Sequence, residues 1–213
     1  MNPLQPSVQR QQFDLPIKKQ PSPDAWFFHP NKEVDIAVIH INFQFLTEHG
    51  LQQAFFPKSA VANKEKLKGI GAAAGDGIFV LGFPMNLAGV QKNYVIARQG
   101  VIARITDMLE GASPTYLIDS LIFPGNSGGP VILRPELTSI QGTPQQPNSY
   151  LIGIVRAYIP YRDVAISPQT KEPRIAFEEN SGLAEVLPVD FIEETIKALR
   201  DLKSTPGAKP TTH

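Results

Sequence analysis

The chain has 213 residues, 42% of them apolar, with 20 prolines, 16 glycines and no cysteine. It can bury a sizeable core as one large domain or two lobes, and the lack of cysteine excludes a disulfide framework, a thiol nucleophile and thiolate metal sites. With 20 basic residues balancing 20 acidic ones, nothing marks a nucleic-acid or anionic-membrane binder. No apolar run approaches the ~20 residues of a membrane span, and the N-terminus lacks the apolar core of a signal peptide, so the cytoplasm is the default compartment.

Residues 1–24 are rich in Pro and Gln with one apolar island, Phe13–Ile17, which predicts an extended or poorly ordered segment. The character changes abruptly at Trp26-Phe27-Phe28. Glu33–Ile41 is β-branched and predicts a strand near the core, with Asp35 at its mouth. An acid there either caps a turn or is placed as a partly buried charge. The charged run Lys64–Lys68 reads as a solvated face, and Gly75-Asp76-Gly77 as a turn. Ile78–Pro84 predicts a strand ending in a Gly/Pro corner, and Tyr94–Ile105 a strand or pair broken at Gly100.

Tyr116–Asp119 and Pro130–Leu133 are short apolar runs on either side of a glycine-rich loop. Residues 134–149 form a polar surface loop, Leu151–Val155 another strand, 160–174 a loop, and Ser181–Val186 a last short strand. From Pro188 to Leu202 the period changes. Phe191, Ile192, Ile196 and Leu199 share one helical face, with Asp190 as N-cap and Glu193 completing a capping box. No His/Asp/Glu cluster has metal-ligand spacing, and no cofactor is implied. Short strands between turn signals, followed by one helix, give an all-β sandwich or barrel with a helical end.

The chemistry gathers in Gly125-Asn126-Ser127-Gly128-Gly129-Pro130. Glycines supply backbone angles and close approach that other residues cannot. Several of them around one hydroxyl describe either a plain hairpin turn or a loop presenting Ser127 with backbone N–H groups aimed at a shared point. Acyl transfer needs that second arrangement, a nucleophilic oxygen beside donors for an oxyanion.

These residues, with Asp35-Ile36-Ala37-Val38, Gly82-Phe83-Pro84, Arg98–Ile102, Asp119, Gly153-Ile154-Val155 and Ser181–Pro188, resemble the trypsin-like (chymotrypsin-fold) serine peptidases. The closest flavour is the cysteine-free bacterial HtrA-like branch, without a PDZ extension. The resemblance runs in order over roughly residues 25–200. It implies two Greek-key β-barrels of the trypsin-like type, the first incomplete, and a C-terminal α-helix. Residues 25–110 would be the incomplete N-terminal barrel and inter-barrel segment, 111–188 the C-terminal barrel, 189–202 the helix and 203–213 a tail.

The same resemblance implies a serine endopeptidase acting on protein or peptide substrates. Ser127 would be the nucleophile, Asp35 the acid that orients a histidine, and the N–H groups of Gly125 and Ser127 the oxyanion hole. Leu121 and Ile122 would floor a substrate pocket walled by Arg156, Ala157 and Tyr158. Leu121 cannot pair with a basic residue, which predicts an apolar P1 preference.

The general base is the exception. The family carries it in a Thr-Ala-Ala-His-like segment well before the acid, and nothing similar precedes Asp35 here. Of His29, His40, His49 and His213, the first is the best placed, but a His-Pro at that point is commonly not the base in the family. The expectation is an N-terminally shortened peptidase. The alternative is a catalytically inactive fold that binds peptides or a partner.

Overall fold

The computed structural model describes residues 26–51, 54–89, 93–135, 145 and 147–204. Among these residues the order is β1 (Trp26–Phe28), β2 (Ala37–Ile39), α1 (Phe43–Glu48), α2 (Lys64–Ile70), β3 (Gly77–Gly82), β4 (Ile96–Arg104), α3 (Thr106–Glu110), β5 (Tyr116–Asp119), β6 (Pro130–Leu133), β7 (Tyr150–Ile166), β8 (Pro173–Pro188) and α4 (Val189–Ser204). The chain is therefore mostly β, as its short apolar runs predict.

Strands β3 to β8 close into an antiparallel barrel in the order β3-β4-β5-β8-β7-β6. Closure removes the free sheet edges that would otherwise invite pairing with other chains. Alternation along each strand fills the interior. Ile78 and Val80 of β3, Ile102 of β4, Ile118 of β5, Val131 of β6 and Val186 of β8 are all fully buried, while Phe79 between the first two faces outward.

The barrel begins at Gly77, because β3 and β4 pair into the same sheet as β5. Gly100 does not break the strand it lies on. It pairs with Ile78 inside a continuous β4, and a Cβ there would collide with the Asp119 carbonyl. Glycine at this position serves close strand approach and not a turn.

The loop expected over 160–174 is largely a hairpin, since β7 runs to Ile166 and β8 starts at Pro173. Tyr161, Val164, Ile175 and Phe177 are strand formers, and Arg162 pairs across the ribbon with Glu178 at 3.0 Å. The run Lys64–Lys68 is helical for local reasons. Asn63 caps α2 by accepting the Lys66 N–H at 3.2 Å, Gly71 closes it in the left-handed region, and Leu67 is fully buried beneath it.

Outside the barrel, β1 and β2 form a small antiparallel ribbon. Val34 and Ile36, in the turn between them, join Leu187 in a second apolar cluster, against which Ile154, Phe191 and Ile192 pack. Helix α4 is thus held between ribbon and barrel by the apolar face its periodicity predicts. Asp190 does not cap it. The residue lies inside the first turn, and its carboxylate accepts the Lys64 N–H at 2.9 Å instead. Among the described residues no helix is long and apolar enough to cross a membrane.

Candidate active-site loop

The segment between β5 and β6 is built from two consecutive tight turns. In the first, the Phe123 carbonyl accepts the Asn126 N–H at 3.0 Å, with Pro124 and Gly125 (φ 95°) at the central positions. In the second, the Asn126 carbonyl accepts the Gly129 N–H at 2.9 Å, with Ser127 and Gly128 (φ 77°) at the centre. Both carry glycine where type II geometry demands a positive φ, and the first carries proline where φ must be near −60°. The sequence Pro-Gly-Asn-Ser-Gly-Gly therefore spells the loop directly.

Three further ties fix the loop to the barrel. The Met85 N–H donates to the Pro124 carbonyl at 2.7 Å, the Gly128 N–H to the Val155 carbonyl at 2.8 Å, and the Val155 N–H to the Gly129 carbonyl at 2.9 Å. Asn126, fully buried, also accepts the Phe123 N–H through its side-chain oxygen at 3.1 Å. Gly125 lies against the 83–85 segment so closely that a Cβ would collide with the Phe83 carbonyl. Ser127 stands exposed at the tip.

With so many of the loop's polar groups engaged, the exceptions stand out. Among the described residues the N–H groups of Gly125 and Ser127 donate to nothing, and the Ser127 hydroxyl has no hydrogen-bond partner. An unspent hydroxyl flanked by two unspent N–H donors is chemically suited to receive a carbonyl carbon and its oxygen.

Ser127 borders a cleft of about 590 Å³ whose apolar wall is Phe55, Phe56, Leu81, Phe83 and Val95. Phe55 and Phe56 were not singled out by the sequence. Their only sequence signal is an aromatic pair inside a polar stretch. The pocket residues expected from the sequence are distributed differently. Ile122 is buried, with its side chain in the barrel core, and Leu121 is 53% exposed. Arg156 pairs with Glu185 at 3.2 Å, and the Tyr158 hydroxyl donates to Glu178 at 2.8 Å. That hydrogen bond raises the phenol's pKa and is the leading cause lowering that of Glu178. Ala157 pairs with Glu185 across β7 and β8. Pairing of β7 with β6 ends at Ile154, so beyond Val155 no described residue pairs with the β7 edge on that side.

Asp35 is exposed in the turn before β2, between buried Val34 and Ile36, and makes no hydrogen bond or ion pair among the described residues. The structure does not join it to Ser127. His29 turns toward α4, where Nε2 lies 3.2 Å from a Glu194 carboxylate oxygen and the ring meets Phe191 edge-on. The His49 ring lies against the Phe45 carbonyl at 2.8 Å, His40 is exposed, and His213 is outside the described residues. No group of three metal-ligating side chains occurs among the described residues.

No family model matches this chain, and no curated protein matches it in sequence. Its functional reading rests on its own residues.

Proposed function

We propose that the Gly125–Gly129 loop is the nucleophile and oxyanion half of a serine endopeptidase site, within a trypsin-like arrangement whose second barrel is the closed one. The observation carrying this reading is the pair of glycine-centred turns that leave Ser127 Oγ and the N–H groups of Gly125 and Ser127 without partners among the described residues, while the neighbouring backbone N–H groups of Asn126, Gly128 and Gly129 are engaged. In the reaction Ser127 Oγ would attack a peptide carbonyl carbon, the carbonyl oxygen taking up charge against the two N–H donors. The C–N bond would then break to leave an acyl-enzyme for water to hydrolyse.

Oγ must surrender its proton during attack, and no described histidine hydrogen-bonds it. The general base is the component this geometry requires beyond what these histidines supply. Asp35 would serve by orienting that base, as the resemblance implies. The β7 edge beyond Val155, unpaired on that side among the described residues, supports pairing of an extended substrate, and the aromatic cleft beside Ser127 supports apolar side chains flanking the scissile bond.

That no described histidine meets Ser127 favours one second reading, a peptide-binding module that retains the loop without turnover. A fluorophosphonate probe separates the two. The endopeptidase reading expects covalent labelling, once a general base is supplied in a longer chain or as added imidazole, that disappears in Ser127→Ala. The binding reading expects no labelling of either protein but saturable binding of extended apolar peptides.

A further inference from the structure

A second cleft, of about 520 Å³, opens beside strands β4 and β5, with Arg98, Gly100, Val101, Asp119, Ser120 and Leu121 in its lining. Ser127, Gly125, Arg156 and Tyr158 do not border it. Its size suits a small ligand.

Two polar groups in this lining have no hydrogen-bond partner among the described residues. Ser120 is only 4% exposed, and its Oγ is buried without a hydrogen-bond partner, although its backbone N–H is satisfied by the Gly182 carbonyl at 2.9 Å. Arg98 Nε is likewise buried and unpartnered. Among the described residues Arg98 joins no ion pair, whereas Arg104, Arg156 and Arg162 each meet a carboxylate. Its guanidinium instead lies 5.1 Å from the centre of the Phe123 ring, which holds the fork in place by stacking. Buried donors without acceptors are rare in folded proteins and call for an explanation.

The backbone sets the spacing. Arg98 and Gly100 project from the same face of β4, roughly 6–7 Å apart along the strand. A Cβ on Gly100 would stand 3.2 Å from Ser120 Oγ, so the serine hydroxyl lies beside the position next to Arg98 on that face. Glycine at this position lets the Asp119–Ser120 backbone approach β4 closely enough to bring the hydroxyl there.

We propose that this cleft binds a monoanionic carboxylate, gripped by the Nε side of the Arg98 guanidinium with the Ser120 hydroxyl as a further donor. A planar guanidinium offers two parallel N–H bonds to a carboxylate or a phosphate. Asp119 in the same lining decides between them, because its charge opposes a dianion about twice as strongly as a monoanion. Val101 and Leu121, 37% and 53% exposed, flank the opening and favour an acid carrying a short apolar group. That chemistry belongs equally to a free branched-chain fatty acid and to the C-terminus of a peptide ending in an apolar residue.

Calorimetric titration of the full chain tests this with isovalerate, a blocked tetrapeptide ending in leucine with a free carboxylate, its C-terminal amide, and inorganic phosphate. Saturable millimolar or tighter binding of a free carboxylate is expected, without binding of the amide. Tighter binding of the peptide acid than of isovalerate identifies a chain terminus as the source, and the reverse a free acid. Arg98→Gln should weaken binding about ten- to a hundredfold and Ser120→Ala by a smaller factor. Backbone amide resonances of Gly100 and Ser120 in the wild-type chain should shift on titration, a readout independent of whether the variants fold. The proposal is overturned by equal binding of acid and amide, tighter binding of phosphate, no saturation by either carboxylate, unchanged affinity in a folded Arg98→Gln, or shifts confined to other regions.

Discussion

Gly82 and Asn126 pack without room for a methyl group between them. A Cβ on residue 82 would stand 2.8 Å from Asn126 Nδ2 and 3.5 Å from the Gly125 carbonyl. The last residue of β3 therefore helps to set the position of the loop that presents Ser127. Gly82→Ala should push Asn126 away and loosen its grip on the Phe123 N–H. Overpacking of a buried contact costs about 1–3 kcal/mol, readable as a lower denaturation midpoint. If Ser127 reacts with a fluorophosphonate, labelling should slow in this variant even where the protein stays folded.

The loop's own glycines should differ from one another. Gly125 and Gly128 both have positive φ, but a Cβ at Gly125 would strike the Phe83 carbonyl whereas one at Gly128 would meet nothing within 4 Å. Gly128→Ala should cost only the left-handed backbone penalty, about 1–2 kcal/mol. Gly125→Ala adds a collision with rigid backbone and should be clearly more destabilising in parallel thermal melts. Equal losses would contradict the close approach of Gly125 to residues 83–85.

His29 has a packing partnership on α4, not a place beside Ser127. Its ring stands edge-on to Phe191 at 5.6 Å between centroids, and its side chain is only 7% exposed. His29→Ala should lower stability by about 1 kcal/mol and leave the rate of any probe labelling at Ser127 unchanged. A large fall in labelling at constant stability would restore His29 as a base.

How much of this was legible in the sequence varies with how local each signal is. The Ser127 loop was readable because Pro-Gly and Ser-Gly at successive turn positions encode its geometry within a few residues, and α4 because its apolar period is continuous. The paired β7 and β8 ribbon was not, since residues 160–174 carry charges and prolines on both sides of strand-forming side chains, and register comes only from the partner strand. Gly100 misled for the same reason. A glycine serving strand approach cannot be told from one serving a turn until Asp119 and Ser120 are known to lie beside it. The aromatic cleft draws Phe55, Phe83 and Val95 from separate segments, a convergence that spacing along the chain does not reveal. Asp190 resembled an N-cap because it has a Glu three residues later, yet tertiary packing gave its carboxylate to Lys64.

That exchange gives Asp190 a pH signature. Its carboxyl is raised above the usual value, foremost by burial, with the Lys64 N–H working in the opposite direction. A carboxyl whose pKa is raised on folding binds more protons in the native than in the unfolded chain between the two pKa values. The native state is therefore penalised as pH climbs from the unfolded value, near 3.8, through the higher folded one. Asp190→Asn keeps an oxygen for the Lys64 N–H without the buried charge, so it should abolish that decline. Urea midpoints measured from pH 3.5 to 7, a window that opens just below the unfolded value and runs well above typical carboxyl values, should fall less steeply in the variant than in the parent. Parallel profiles would mean that the carboxylate is better solvated, or better compensated by Lys64, than its burial implies.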